Sequence, residues 1–292
     1  MNSQQILQLV VSGIATGSIY ALVALGFVLI YSVTGIINFA QGEFVMVGAL
    51  TMVTLTGWGW PMPVGFVTSV LVVAGLGALL HTLALRPARR ASVVTLIIIT
   101  VGAAITLRGI GLILWGTNPY ALSLWRGRPY RIAGAIIRRP TPWIVATTII
   151  VVLLLYLFFE RTLYGKAVRA CALNPIAARL MGIKVERIAM LAFAVAGALG
   201  AIAGIVITPV GAATYDMGLL VGLKGFAAAI MGGLVSAPAA VAGGLLLGVL
   251  EALGAGLISS GFKDAIAFFV LLIVLLVRPL GLLGRIERGL QR

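Results

Sequence analysis

Acidic residues are scarce in this sequence. Seven Asp and Glu stand against 21 Lys and Arg in 292 residues, and charged residues of both signs make up only 10%. A soluble domain carries about 25% charged and about 45–50% apolar residues; here 61% are hydrophobic. So few charges cannot cover a water-soluble fold of this size, and the excess apolar surface must face lipid. Cysteine and histidine are almost missing, with Cys171 and His81 the single examples. A lone cysteine excludes an internal disulfide. A lone histidine with no second ligand near it in the chain argues against a metal site. With Cys171 and His81 on different segments, an intramembrane enzyme lacks its nucleophile–base pair. No Gly-x-x-x-x-Gly-Lys-Ser/Thr stretch is found, so a phosphate-cradling ATP site is not expected. The apolar–polar alternation of barrel strands is absent as well.

What the chain does have is long apolar runs bounded by charge, Pro or Gly. They predict spans at about 6–30, 35–56, 62–85, 92–114, 142–159, 188–208, 222–256 and 264–278. At ~20 residues per crossing this is one all-α polytopic membrane domain, 1–292, of about eight segments. The 222–256 run is too long for one crossing. Its Gly232-Gly233, Ser236, Pro238 and Gly243-Gly244 predict broken or re-entrant half-helices with a break near Pro238. A cleavable leader is not expected, because Met1-Asn2-Ser3-Gln4-Gln5 lacks a positive charge and the first apolar run is too long. Gly13, Gly17, Gly26, Gly75, Gly77, Gly102, Gly197, Gly200 and Gly204 recur through the spans, where small residues let helices approach closely.

The basic excess of +14 is best read by position. Arg86, Arg89 and Arg90, then Arg161, Lys166, Arg169, Arg179, Lys184 and Arg187, then Arg278, Arg285, Arg288 and Arg292 form three clusters. The positive-inside tendency places all three in the cytoplasm, so no nucleic-acid partner is needed. Span parity then puts the N-terminus and the loop 115–141 outside. That loop carries Arg126, Arg128, Arg131, Arg138 and Arg139 against the same tendency; anionic headgroups or an acidic docking surface would suit it, as would plain solvation.

Two segments carry chemistry. The run Gly35-Ile36-Ile37-Asn38-Phe39-Ala40-Gln41-Gly42-Glu43 puts three polar side chains inside an apolar span. A carboxylate there costs several kcal/mol unless it faces a cavity or the bundle interior. On a regular helix Glu43 lies about 140° from Asn38, so either it meets a different neighbour or the helix breaks near Gly42. Asn38, Gln41, Gly42 and Glu43 are therefore candidates for a substrate pathway; polar bonding between helices is the other reading. The second segment is the basic loop 160–187. Asn174 can cap a helix and Pro175 suits its first position, with Gly182 ending it in the left-handed conformation. A short stiff helix here suits contact with a soluble partner. Elsewhere, Arg108 is expected to snorkel to the outer interface, and Lys224 is a weak pathway candidate. Glu251 and Asp264 are expected to be solvated or capping, with Lys263 and Asp264 a surface pair.

The pattern Ala177-Ala178-Arg179-Leu180-Met181-Gly182 resembles the coupling loop of ABC-importer permeases, with Ile176 where that motif has Glu. The whole chain is similar to the LivH-type permeases of bacterial branched-chain amino acid importers. The matching stretches are Gly35 to Phe44, Met181-Gly182-Ile183, Gly232-Gly233-Leu234-Val235-Ser236-Ala237-Pro238 and Arg278-Pro279-Leu280-Gly281-Leu282-Leu283-Gly284. The resemblance implies a bacterial inner-membrane subunit paired with a LivM-like permease, two cytoplasmic ATPases and an extracytoplasmic substrate-binding protein. It implies no cofactor on this chain, and Ala177, Ala178, Arg179 and Gly182 at the ATPase contact. The absent Glu removes the acidic contact expected there. Permeases for other amino acids, short amides or urea fit the same pattern, and an ion-coupled secondary transporter is the rival class.

Overall fold

Each apolar run folds as a helix, because in lipid only intrahelical bonds satisfy a lone segment's backbone. The computed structural model describes residues 3–122, 129–132, 135–234, 236–257, 259–277 and 281. The helices are α1 (Ser3–Thr34), α2 (Gln41–Gly57), α3 (Met62–Leu80), α4 (Val93–Trp115), α5 (Pro140–Arg161), α6 (Leu163–Leu173), α7 (Pro175–Leu180), α8 (Val185–Ile207), α9 (Met217–Gly232), α10 (Ala237–Leu257) and α11 (Lys263–Val277). Helix α3 continues as a π-helical turn, His81–Leu85. Among the described residues six helices are long and apolar enough to cross a membrane, and α9 is a shorter apolar one. Large apolar side chains stand exposed along α3, α4, α5 and α11, such as Leu71, Ile105, Leu154 and Leu276. The chain is a multi-pass all-α membrane protein.

Most predicted spans agree with these helices to within a few residues; the span predicted from 35 becomes helical only at Gln41, its residues 35–40 being non-helical. The long 222–256 run divides at 233–236, where Gly233 turns left-handed (φ 106°) and Pro238 occupies the first turn of the next helix. The products are a 16-residue α9 and a full 21-residue α10. The hairpin β1 (Tyr130–Ile132) with β2 (Ala135–Ile137), antiparallel with Tyr130 opposite Ile137, was not foreseen. Arg126, Arg128, Arg278, Arg285, Arg288, Arg292 and most of the 278–284 stretch lie outside the described residues, as does the side chain of Arg131.

The bundle has two distinguishable ends. At one, Glu186 at the start of α8 pairs with Arg86 (3.3 Å) and with Arg89; this basic end also carries α6 and α7. At the other, Tyr120 after α4 pairs its backbone with Ala213 after α8, and β2 packs on α1. The first span therefore begins at the same end as the 115–141 loop, as span parity requires.

Helix α1 is the axis, enclosed by α8, α9 and α10. Small residues set its distance from α10. A side chain added at Gly17 would stand 2.8 Å from the Gly244 carbonyl oxygen and the Leu245 Cα. Gly77 and Gly197 serve α3–α8 in the same way, and Gly200 and Gly204 serve α2–α8. Gly75 and Gly102 have nothing within 4 Å and face outward, so they do not pack helices within this chain. Overpacking a tight contact costs about 1–3 kcal/mol. Gly17→Leu is thus expected to lower the melting temperature of the detergent-purified protein by several degrees, and Gly75→Leu to leave it unchanged.

Candidate functional site

The segment 35–40 interrupts what would otherwise be one helix hairpin. Gly35 ends α1 in the left-handed region (φ 68°), and the chain re-enters the bundle extended. Non-helical backbone at this depth survives only where its polar groups are paired inside the protein. Gly35 N–H donates to Tyr31 O (2.8 Å) and Ile36 N–H to the Thr34 hydroxyl (3.3 Å). Phe39 N–H donates to the Thr100 hydroxyl of α4 (3.2 Å). Asn38 Oδ1 accepts from Ala40 N–H (3.1 Å), and Asn38 O accepts from Gln41 N–H (3.1 Å). Asn38 is thus the hinge on which α2 starts. Gln41 then anchors that start: its amide Nε2 donates to Ala196 O (3.0 Å). Ala196 is the middle residue of α8, equally far from Val185 and Ile207, so α2 begins midway through the bundle. Gly26 of α1 makes room for the Gln41 amide.

Gly42 and Glu43 sit in the first turn of α2. A side chain at Gly42 would collide with the Gly218 carbonyl and stand 2.9 Å from the Gly222 Cα, so this glycine brings α2 against the start of α9. Glu43 is 1% exposed. Its carboxylate lies beside Gly218, in the first turn of α9. It therefore faces the positive ends of two helices, which favour an anion. Arg108 of α4 supplies the full counter-charge, with Nη2 bonded to Glu43 Oε1. Arg108 does not snorkel to the interface as expected; a buried carboxylate 65 residues away in the chain holds it.

The ion pair borders a cavity of about 140 Å³ between α4 and α9. Phe27, Phe39 and Phe226 form its apolar wall and Gly218 and Gly222 its bare one. Of the four residues singled out in the 35–43 run, Glu43 lines this cavity, whereas Asn38, Gln41 and Gly42 build and place the helix that presents it. Gly218, and Arg108 as the partner of Glu43, are what sequence reasoning missed; the one usable signal was a lone Arg in an apolar span.

A second ionic group lies apart, where α9, α10 and α11 meet. Lys224 Nζ is 2.8 Å from Glu251 Oε1 and 2.6 Å from Asp264 Oδ1, and Lys263 Nζ is 3.4 Å from Glu251 Oε1. The Tyr20 ring lies 5.7 Å from the Lys224 ammonium. This corrects two expectations. Glu251 is fully buried, not solvated, and Lys263 pairs with Glu251 across helices, not with its neighbour Asp264. Lys224 does not border the aromatic cavity.

At the basic end, α7 follows the sequence prediction closely. Asn174 Oδ1 accepts from Ile176 and Ala177 N–H at 3.0 Å each. Gly182 takes φ 83°, and Ile183 N–H returns to Ala178 O (3.0 Å). Ala178 is buried against α6 and α8 with Val168, Cys171 and Ile188, while Ile176, Leu180 and Met181 stand exposed.

Apolar helices around an apolar cavity that one buried ion pair borders at a helix break fit a membrane permease. The chain belongs to the family described as the permease component of the branched-chain amino acid transport system, whose family model matches residues 9–275. It is 35% identical over 96% of both chains to the high-affinity branched-chain amino acid transport system permease protein LivH of Escherichia coli K12. It is 35% identical, over the same share of both chains, to BraD of Pseudomonas aeruginosa, whose name describes the same transport system. The galactofuranose transporter permease protein YtfT of Escherichia coli K12 is 30% identical over 88% of this chain and 76% of its own length.

Two outcomes are expected from this geometry. Breaking a buried ion pair from one side costs about 3–5 kcal/mol, whereas replacing both partners is often neutral. Glu251→Gln alone should therefore lower thermal stability more than the combination Lys224→Met and Glu251→Leu. Burial pushes the Cys171 thiol above its ordinary pKa, with Arg179 opposing in part, so little thiolate forms at neutral pH. Maleimide labelling of Cys171 in the native complex should stay slow as pH rises from 7 to 8.5, and become fast once SDS exposes the thiol.

Proposed function

We propose that this chain is a permease subunit of an ATP-driven importer for branched-chain amino acids in a bacterial inner membrane. It pairs with a second, LivM-like permease. Two ATPases dock at the basic end, on the cytoplasmic side, and a substrate-binding protein delivers the amino acid from the other side. ATP hydrolysis takes place on the separate ATPase chains. The carrying observation is the aromatic cavity between α4 and α9, bordered by Glu43, in a chain of this permease family.

In this reading Glu43 lines the translocation pathway. Asn38, Gln41 and Gly42 hold it there by fixing the start of α2. Ala177, Ala178, Arg179 and Gly182 belong to the ATPase contact: Asn174 and Gly182 fix the ends of α7, Ala178 seats it, and the exposed Ile176, Leu180 and Met181 offer an apolar face in place of the missing acidic contact. Lipid covers the exposed faces of α3, α4 and α5.

The test is uptake of radiolabelled leucine, isoleucine and valine in cells lacking this chain and complemented with variants. Uptake should require the two ATPases and resist protonophores, which a proton-coupled transporter would not. Leu180→Asp with Met181→Asp should abolish co-purification of the ATPases while the chain remains in the membrane. Glu43→Gln should lower uptake roughly tenfold, a cost of about 1.4 kcal/mol, with the complex still assembled. Normal uptake by Glu43→Gln would remove Glu43 from the pathway, and uptake of amides or urea instead would reassign the substrate.

A further inference from the structure

We propose that Glu43 and Arg108 together form a subsite for the zwitterionic head of an α-amino acid, with the aromatic wall receiving its apolar side chain. This rests on the pathway reading above and adds Arg108 to it.

The ion pair is only half made. Glu43 Oε1 meets Arg108 Nη2, but Glu43 Oε2 and Arg108 Nε are buried with no hydrogen-bond partner among the described residues. Leaving a buried polar atom unpaired costs about 1–3 kcal/mol, and folded proteins keep few of them. Glu43 and Arg108, which carry one vacant acceptor on an anion and one vacant donor on a cation, both line the same cavity. Their chemistry calls for a ligand that brings an ammonium and a carboxylate together. The ammonium satisfies Glu43 Oε2; the carboxylate satisfies Arg108 Nε. Both contacts add to the existing pair without breaking it.

Charge neutrality sharpens the selection. Glu43 with Arg108 is net neutral, and a zwitterion leaves the cavity neutral. A lone amine or a lone carboxylate leaves an uncompensated charge among Phe27, Phe39 and Phe226, where the desolvation penalty is several kcal/mol. A neutral sugar meets these atoms through hydroxyls alone, without the stronger bonds that an ammonium and a carboxylate make when both partners are charged. Because a galactofuranose permease is among the relatives, family membership alone does not demand this charge reading; it rests on the opposite charges of Glu43 and Arg108. Gly218 and Gly222 keep a bare strip on the α9 side of the cavity, beside Leu219, Leu223 and Phe226, so the head group can approach the helix start that already favours anions.

The experiment has two arms on the same variants. Purified complex is melted with leucine, with 3-methylbutylamine (leucine without its carboxylate) or with 4-methylpentanoate (leucine without its amine), each at millimolar concentration. Leucine should raise the melting temperature of the wild type, and neither half-ligand should. Arg108→Met and Glu43→Gln should each lose the leucine shift, and leucine uptake should fall roughly 5- to 100-fold, the equivalent of one unpaired buried group. Arg108→Met combined with Glu43→Gln removes both charges, so no charge is left unpaired in the bundle, and it too should lose the shift. The proposal is overturned if leucine gives no shift in the wild type, if either half-ligand protects as well as leucine, or if Arg108→Met keeps the full leucine shift. Failure of the permease reading looks different: leucine uptake would then be indifferent to deletion of the whole chain.

Discussion

The structure depends on one constraint: backbone taken out of a helix inside an apolar bundle must find all its partners within the protein. In segment 35–40 a handful of bonds answer it for the Gly35, Ile36, Phe39 and Ala40 N–H groups. The Thr34 hydroxyl, the Thr100 hydroxyl and the Asn38 amide stand in for the missing helical carbonyls. Once those bonds are made, α2 has no choice but to start at mid-depth. From that follow the approach of Gly42 to Gly218 and Gly222, the enclosure of Glu43, and the need for Arg108. The polar residues of this run divide into builders and a presenter. Only Glu43 is spent on the cavity.

The two ionic groups are built from the same residue types and do different work. Lys224 is shared between Glu251 and Asp264 while Lys263 supports Glu251, so three helices are clamped by mutually compensating charges. The Glu43–Arg108 pair has a single link and a void beside it. Among the described residues each group leaves one buried carboxylate oxygen unpartnered, Glu43 Oε2 and Glu251 Oε2; the pair differs in also leaving a cation's donor, Arg108 Nε, unpartnered. The difference lies in how many partners surround each charge, which no count of charges per span could reveal.

Much of the architecture was legible in the chain. Hydropathy locates the helices because lipid punishes every interruption, and Asn174, Pro175 and Gly182 mark α7 because caps are local chemistry. The partners of the buried charges were not legible. Arg108 reaches Glu43 across 65 residues and Lys224 reaches Glu251 across 27. Pairing Lys263 with Asp264 failed for a geometric reason: consecutive helical residues point about 100° apart and do not face each other. Gly75 and Gly102 likewise look like Gly77 and Gly197 in sequence, yet they face away from the bundle. Orientation about the helix axis is a tertiary property.

The central position of α1 has a consequence for how the protein is made. It is the most enclosed of the six long helices, yet it is synthesised before the other five. Its principal partner, α10, begins about 200 residues later, which at ~5–20 residues per second is on the order of ten to forty seconds of synthesis. During that interval the glycine faces that will grip α10 and α9 look out into lipid. Helix α1 can wait because Ser3–Thr34 contains no charged residue; it is a stable lodger in the bilayer before it is a core. The chain thus matures from a lipid-exposed hairpin into a bundle by enclosing its own first helix, and late truncations would strand that helix in the membrane.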